Sequence, residues 1–314
     1  MARGRVAAVV SLVLAFVLAG SVRPSAAQSD LSGSWAARNH EDALERGAGP
    51  FLVDYTGLAL NAEARLKALS FSPSITSMIE RQCALWPPHY LVTGPFGMKI
   101  WNVTDPLNGN TIAWKIGSWE DRAETTIWMD GRPHPSENAL HERAGFTTGV
   151  WHGDILTTLT THIKAGNLRR NGAPNSDQET ITTHYIRHGD LLTVVAMIED
   201  PIYLTETEVI SKNFQFDTAN SVSPVGPPCV AGYEGTAGDG AVPHYLPGTN
   251  PSTDELMKAY HIPSSAALGG AETMYPEFRK TLKASYVRPD KCLQNCGGPP
   301  AAPPPPPPPP APAR

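Results

Sequence analysis

Histidines spaced along runs of alternating apolar and polar residues are the groups in this sequence best suited to chemistry. An imidazole with an unperturbed pKa of about 6.5 accepts a proton at neutral pH and returns one later in a cycle. His162 and His184 are the leading candidates, and the faces they occupy follow from two copies of one pattern. These are His152-Gly153-Asp154-Ile155-Leu156-Thr157 and His188-Gly189-Asp190-Leu191-Leu192-Thr193. Gly-Asp between two alternating runs is a two-residue hairpin turn, which fixes the register of the strands it joins. With Gly189 and Asp190 in the turn, His188 pairs with Leu191, Ile186 with Thr193 and His184 with Val195. His184 and His188 then share a face with Leu191, Val195 and Met197. In the other hairpin, His162 falls on the face of Trp151, Leu156, Thr158 and Thr160. A histidine among Thr hydroxyls, Trp and Leu is what the wall of a partly polar pocket looks like. The expectation is that His162 and His184 approach each other as a general acid/base pair, with Trp151, Thr160 and Tyr185 contacting substrate. The plainer reading, an exposed or hydrogen-bonded core histidine, fits each of them taken singly.

Three further segments carry chemically useful groups. Lys164 to Asp177 holds Lys164, Arg169 and Arg170 within seven residues. Arg169 or Arg170 at a pocket mouth would hold a carboxylate or phenolate bidentately, whereas a solvated turn fits the same composition. Trp128-Met-Asp130-Gly-Arg132-Pro-His134-Pro reads either as a site fixed by its prolines or as a structural corner. Asn39-His40-Glu41-Asp42 sets an imidazole beside two carboxylates, as a general base or as an exposed polar turn requires. No Gly-rich phosphate loop, GxSxG elbow or HExxH pattern occurs, and His134, His141 and His152 lack metal-ligand spacing. No cofactor and no metal is expected.

The elements that must position these groups are strands. Strand patterns cover Met98 to Val103, Thr111 to Ile116, Glu124 to Met129, Phe146 to Trp151, Ile155 to Ile163, Thr180 to His188, Leu191 to Ile198 and Glu206 to Phe216. Tight turns between them predict a mostly β protein, an antiparallel meander of seven or eight strands whose edges are hidden by closure into a barrel. Asp30-Leu-Ser-Gly-Ser-Trp35 is similar to the Gly-x-Trp start of a lipocalin-type barrel, where Trp plugs the closed end. A short helix is predicted over Asn61 to Leu69 with Asn61 as its cap, and Trp86-Pro-Pro-His89 must be irregular. Asp254 to Tyr260 and Glu272 to Leu282 are helix-like, interrupted at Gly269-Gly270. The barrel is expected over residues 28–220, with 221–296 as a loop and helical extension packed on it.

The ends and the composition bound what such a barrel does. Arg3 and Arg5, an apolar run from Val6 to Val22 and Ser25-Ala26-Ala27 predict a signal peptide over residues 1–27 and a periplasmic or secreted product, with no integral membrane segment after cleavage. Cleavage removes Arg3, Arg5 and Arg23, so 25 Lys and Arg less three leaves 22 against 30 Asp and Glu, a net charge of −8. That balance disfavours a nucleic-acid partner, which demands clustered positive charge. Cys83, Cys229, Cys292 and Cys296 in an exported chain predict at least one disulfide, with three pairings open. Residues 297–314, with eight consecutive prolines, form an extended spacer.

Taken together, Trp128 to Pro135, the Gly145-x-x-x-Gly149-x-Trp151-x-Gly153-Asp154 run, Val242 to Gly248 and Gly269 to Pro276 resemble a large family of exported bacterial β-rich proteins. The resemblance spans most of residues 30–285 and implies a secreted β fold; it carries over no catalytic residue. Two functions fit a barrel with room for one small ligand. One is a cofactor-independent lyase, hydratase or isomerase using His and carboxylate chemistry on a hydrophobic, even aromatic, small molecule. The other is a non-catalytic binder of the same kind of partner. The oligomeric state is left open.

Overall fold

The computed structural model describes residues 29–38, 52–55, 57–83, 86–94, 96–117, 124–222, 230–232, 241–260 and 263–282. The signal-like segment, Asn39 to Asp42 and the Pro-rich tail lie outside the described residues, as do Cys229, Cys292 and Cys296. Cys83 is not a free thiol, but the pairing of the cysteines remains an expectation.

The chain forms a mostly β structure around a closed barrel. Its strands are β1 (Gly33–Ala37), β2 (Met98–Thr104), β3 (Thr111–Gly117), β4 (Thr125–Trp128), β5 (Phe146–His152), β6 (Ile155–Thr161), β9 (Thr180–His188), β10 (Leu191–Glu199) and β11 (Glu208–Phe216). Two short strands, β7 (Gly166–Asn167) and β8 (Pro174–Asn175), form a separate ribbon between β6 and β9. Around the barrel the order is β1-β11-β10-β9-β6-β5-β4-β3-β2, with β1 pairing β2 to close it. Within the barrel, closure pairs each described strand on both sides.

The expected meander needs one correction, because β4 and β5 are parallel. A parallel pair requires a crossover of a dozen residues or more, and residues 129–145 supply it. Within this crossover the Asp130/Arg132 segment is a structural corner. Arg132 donates to Asp130 through Nε and Nη2, and its guanidinium lies 3.6 Å from the Trp128 ring centroid.

Burial alternates along the strands as a one-sided sheet requires. In β10, Leu192, Val194, Ala196 and Ile198 are buried, while Leu191, Thr193, Val195 and Met197 are half-buried on the outer face. Trp35 plugs one end: it is fully buried, its Nε1 donates to Leu31 O at 3.0 Å, and its ring meets Phe216 edge-on at 5.2 Å. Arg187 covers both rings and donates to Asp30 O.

Both Gly-Asp pairs are tight hairpins. His152 pairs with Ile155 and His188 with Leu191, leaving two residues in each loop. Gly153 and Gly189 have φ of +66° and +61° with open space where a Cβ would stand, so the requirement there is conformational and not steric. Gly153→Val or Gly189→Val is expected to lower stability by about 1 to 3 kcal/mol, because β-branched residues resist positive φ. Thermal melting of the two variants checks this, and unchanged melting contradicts it. Gly149 answers to space instead. It faces inward on β5, and a Cβ would come within 2.7 Å of Ile127 and 2.8 Å of Met129 Sδ.

The helical parts pack on one another and on the barrel. Helix α1 (Ala62–Leu69) is capped by Asn61, whose side chain accepts from Ala64 N at 2.9 Å. Short α2 (Ile79–Gln82) and α3 (Tyr90–Thr93) follow, and all four residues of α3 are buried. The C-terminal region holds α4 (Thr253–Tyr260), α5 (Ser264–Ala267) and α6 (Pro276–Leu282). Tyr55 N donates to Ala267 O, Gly57 N to Thr273 Oγ1 and Asn250 Nδ2 to Leu69 O. No described helix is long and apolar enough to cross a membrane.

Candidate active site inside the barrel

Inward-facing residues of β5, β6 and β9 line a cavity of about 40 Å³, closed on one side by the segment from Trp86 to Val92. The lining is mixed: Thr147, Thr158, Thr160 and Thr183 line it together with Tyr185 and His89, beside apolar Leu91, Val92, Ile116 and Ala196. Thr147 and Thr160 satisfy each other at 2.9 Å, and Thr158 donates to Thr183 O. The Tyr185 hydroxyl makes no hydrogen bond among the described residues. Burial raises its pKa above the ordinary phenol value, so it stays a neutral O–H donor.

The second ionisable feature is a buried pair. His89 Nδ1 lies 2.9 Å from Glu179 Oε1, and both side chains are 0% exposed. His89 Nε2 lies 3.3 Å from Asn167 O, a carbonyl that only accepts, so Nε2 carries a proton. One further proton lies between Nδ1 and Oε1, giving either imidazolium with carboxylate or neutral imidazole with carboxylic acid. In both forms the pair is neutral as a unit, which is how two ionisable groups are tolerated without water. Glu179 Oε2 is buried with no partner among the described residues. An orphaned carboxylate oxygen in such a place demands an explanation, and a ligand proton is one.

The surrounding fold holds both partners. Pro87 and Pro88 end the preceding segment, and Tyr90 N and Leu91 N bond back to their carbonyls to start α3 just after His89. Fully buried Lys212 of β11 donates to Gly94 O and so ties α3 to the barrel. Glu179 sits where a buried aspartate gathers two loops: Asp200 accepts from Ser176 N, Ser176 Oγ, Ile202 N and Tyr203 N. The β7–β8 ribbon fixes Asn167 by pairing it with Pro174.

The residues expected from sequence are distributed differently. The register around His184 is as read, with Val195 on one side and Thr157 on the other. Its face, however, is the outer one: Ile181, Thr183 and Tyr185 point inward, and His184 bonds Thr157 Oγ1 outside at 2.9 Å. His162 shares the parity of inward Thr158 and Thr160 but leaves the strand with φ of +57°, which turns its ring outward to Thr161 and Ser136. The expected meeting of His162 and His184 inside the barrel therefore does not occur. Thr160 and Tyr185 line the cavity, whereas Trp151 packs against Trp114 at 6.4 Å beyond it. Arg169 and Arg170 are not at its mouth. Arg169 is paired with Glu208 at 2.7 Å, and burial raises the Glu208 pKa while Arg169 opposes that rise; Arg170 stands in the same turn, half-buried.

His162 belongs to an outer chain of hydrogen bonds. Its Nε2–H donates to Ser136 O, so neutral Nδ1 accepts from Thr161 Oγ1 at 2.7 Å. Thr161 Oγ1 then accepts from His134 Nδ1–H at 2.7 Å, and His134 Nε2 accepts from Thr148 Oγ1 at 2.8 Å. The chain clips the 129–145 crossover to β5 and β6. The His134 pKa is lowered, first by desolvation and then by the neighbouring His162. A histidine with a depressed folded value binds fewer protons folded than unfolded, so its contribution is complete above the unfolded value near 6.5 and lost as pH falls through that window. Stability of the wild type is expected to drop more steeply below about pH 6.5 than that of His134→Gln. Denaturant melts across that range test it; equal slopes refute it.

No family model matches this chain, and neither a curated protein nor a solved structure does. The candidate site rests on its own geometry. Sequence reasoning missed His89 and Glu179, ninety residues apart. One signal was available for Glu179, which has the parity of Ile181, Thr183 and Tyr185 and so extends their inward row by one position.

Proposed function

We propose that this protein is a cofactor-independent acid/base enzyme of the lyase or isomerase type, exported to the periplasm or medium, acting on a small polar molecule in the barrel interior. The observation that carries the reading is the fully buried His89–Glu179 pair, whose Oε2 is unpartnered. In the ionised form of the pair the Glu179 carboxylate, which stands behind His89 and does not itself line the cavity, is the base for a substrate proton, and imidazolium His89 offsets its charge. Tyr185 supplies a neutral O–H toward negative charge developing on a substrate oxygen, in a site where water does not compete.

Size and lining narrow the substrate. An apolar cavity of about 150 Å³ takes benzene, and this one, at about 40 Å³ and rich in threonine, does not hold an aromatic ring as it stands. A hydroxy- or keto-compound of a few heavy atoms suits it, and anything larger enters only by displacing the Trp86–His89 segment. The test is to incubate the mature protein with a panel of small hydroxy and keto acids, aldehydes and aromatic controls, following binding and products by mass spectrometry. Product formation that disappears in Glu179→Gln supports the reading; binding without product by the wild type replaces it with a carrier barrel.

A further inference from the structure

Outside the barrel, beside the end of β6, lies a second and larger recess of about 530 Å³. It falls within the range of small-molecule sites. Glu137, Asn138, His141, Asp177 and Gln178 form much of its wall, and no lining residue is Lys or Arg. The carboxylates of exposed Glu137 and Asp177 make no ion pair or hydrogen bond among the described residues. His141 donates Nδ1–H to Ile163 O at 3.1 Å, which leaves Nε2 of the neutral ring as an acceptor. Its neighbour His162, 5.1 Å away between centroids, has both nitrogens engaged and offers no competing donor. Independently of these surface acids, Glu179 also lines this recess, with a side chain that is 0% exposed and Oε2 unpartnered.

Among the described residues of the lining, uncommitted acceptors thus outnumber donors, and the uncommitted charges are negative. A ligand that satisfies them brings N–H donors and positive charge. We propose that this groove is a binding site for a small organic cation bearing amine or guanidinium groups. Glu137 and Asp177 pair with its charges, and His141 Nε2 accepts one of its N–H groups. The Asn138 and Gln178 amides adapt to either polarity. The buried Glu179 Oε2 at the inner wall of the groove is the oxygen that the acid/base reading also uses, so the two share that one group, and the outer carboxylates belong to this groove alone.

The probe is spermidine, titrated into the ¹⁵N-labelled mature protein at neutral pH and moderate salt. The expected result is a saturable shift of the His141 ring signals and of the Asn138 and Gln178 amides, with glycerol causing none. Glu137→Gln combined with Asp177→Asn weakens binding by roughly tenfold or more. The same loss of two charges elsewhere, in Glu63→Gln with Glu80→Gln on α1 and α2, leaves it unchanged. Absence of a saturable His141 shift overturns the proposal. So does equal weakening by both double variants, since it marks general attraction to an acidic protein. Saturable spermidine binding by a protein that converts no compound of the small-molecule panel upholds this site while the acid/base reading fails.

Discussion

Glu179→Gln is expected to lower turnover of any compound the wild-type protein converts by about 100-fold or more, with a much smaller effect on substrate binding. Glutamine has nearly the same shape, and its amide N–H donates to Nδ1 of a neutral His89 that keeps its Nε2 proton on Asn167 O. It lacks the one feature the chemistry uses, an ionised oxygen at the position of Oε2, which is buried and free of partners. His89→Asn reaches a similar loss by another route, leaving the carboxylate without its 2.9 Å partner in a site with no water-exposed surface. Tyr185→Phe removes a single oxygen that bonds no described residue, so it costs turnover and almost no stability. Steady-state kinetics beside thermal melting separates these outcomes from a structural role, in which melting falls and rates per folded molecule do not.

Asp200→Ala is expected to cost about 3 to 5 kcal/mol, the largest stability effect among polar residues of this fold. Asp200 is 3% exposed and accepts four hydrogen bonds, two from Ser176 at 2.6 and 2.8 Å and one each from Ile202 N and Tyr203 N. Alanine leaves four donors without an acceptor where water does not easily reach. The damage extends to the site, because Glu179 N bonds Ser176 O and the two residues share one turn. Chemical denaturation of Asp200→Ala and Asp200→Asn checks the magnitude. A loss under about 1 kcal/mol for alanine contradicts the role given to this residue.

The contrast between what alternation reveals and what it hides is clearest at His184. Gly-Asp turns and cross-strand pairs were legible, because a turn with positive φ at glycine leaves one register open to the strands beside it. The inward face was harder. On β9 the two sides are Ile181, Thr183, Tyr185 and Thr182, His184, Ile186, each a mixture that hydrophobicity does not rank. The neighbouring strand ranks them: Leu192, Val194, Ala196 and Ile198 are uniformly apolar, whereas Thr193 and Glu199 interrupt the other row. Weighting that strand first puts His184 outside. His162 was illegible for a different reason, since a left-handed histidine breaks the parity count with no glycine to announce it. The parallel step between β4 and β5 was hidden because a corner and a crossover share the same Pro- and Gly-rich composition. Glu179 and His89 meet only through tertiary structure, across β7–β8 and α3.

The measurement that reaches the central claim most directly is residue-resolved NMR of the mature protein with each compound it turns over or binds from the hydroxy- and keto-compound panel. Perturbations concentrated on Thr147, Thr160, Thr183, Tyr185 and the His89 ring, with the His89 signals altered in Glu179→Gln, are the predicted result. Perturbations confined to the outer face, at His184 and its neighbours, or an interior that stays silent for every compound, contradict the assignment of the barrel cavity as the working site.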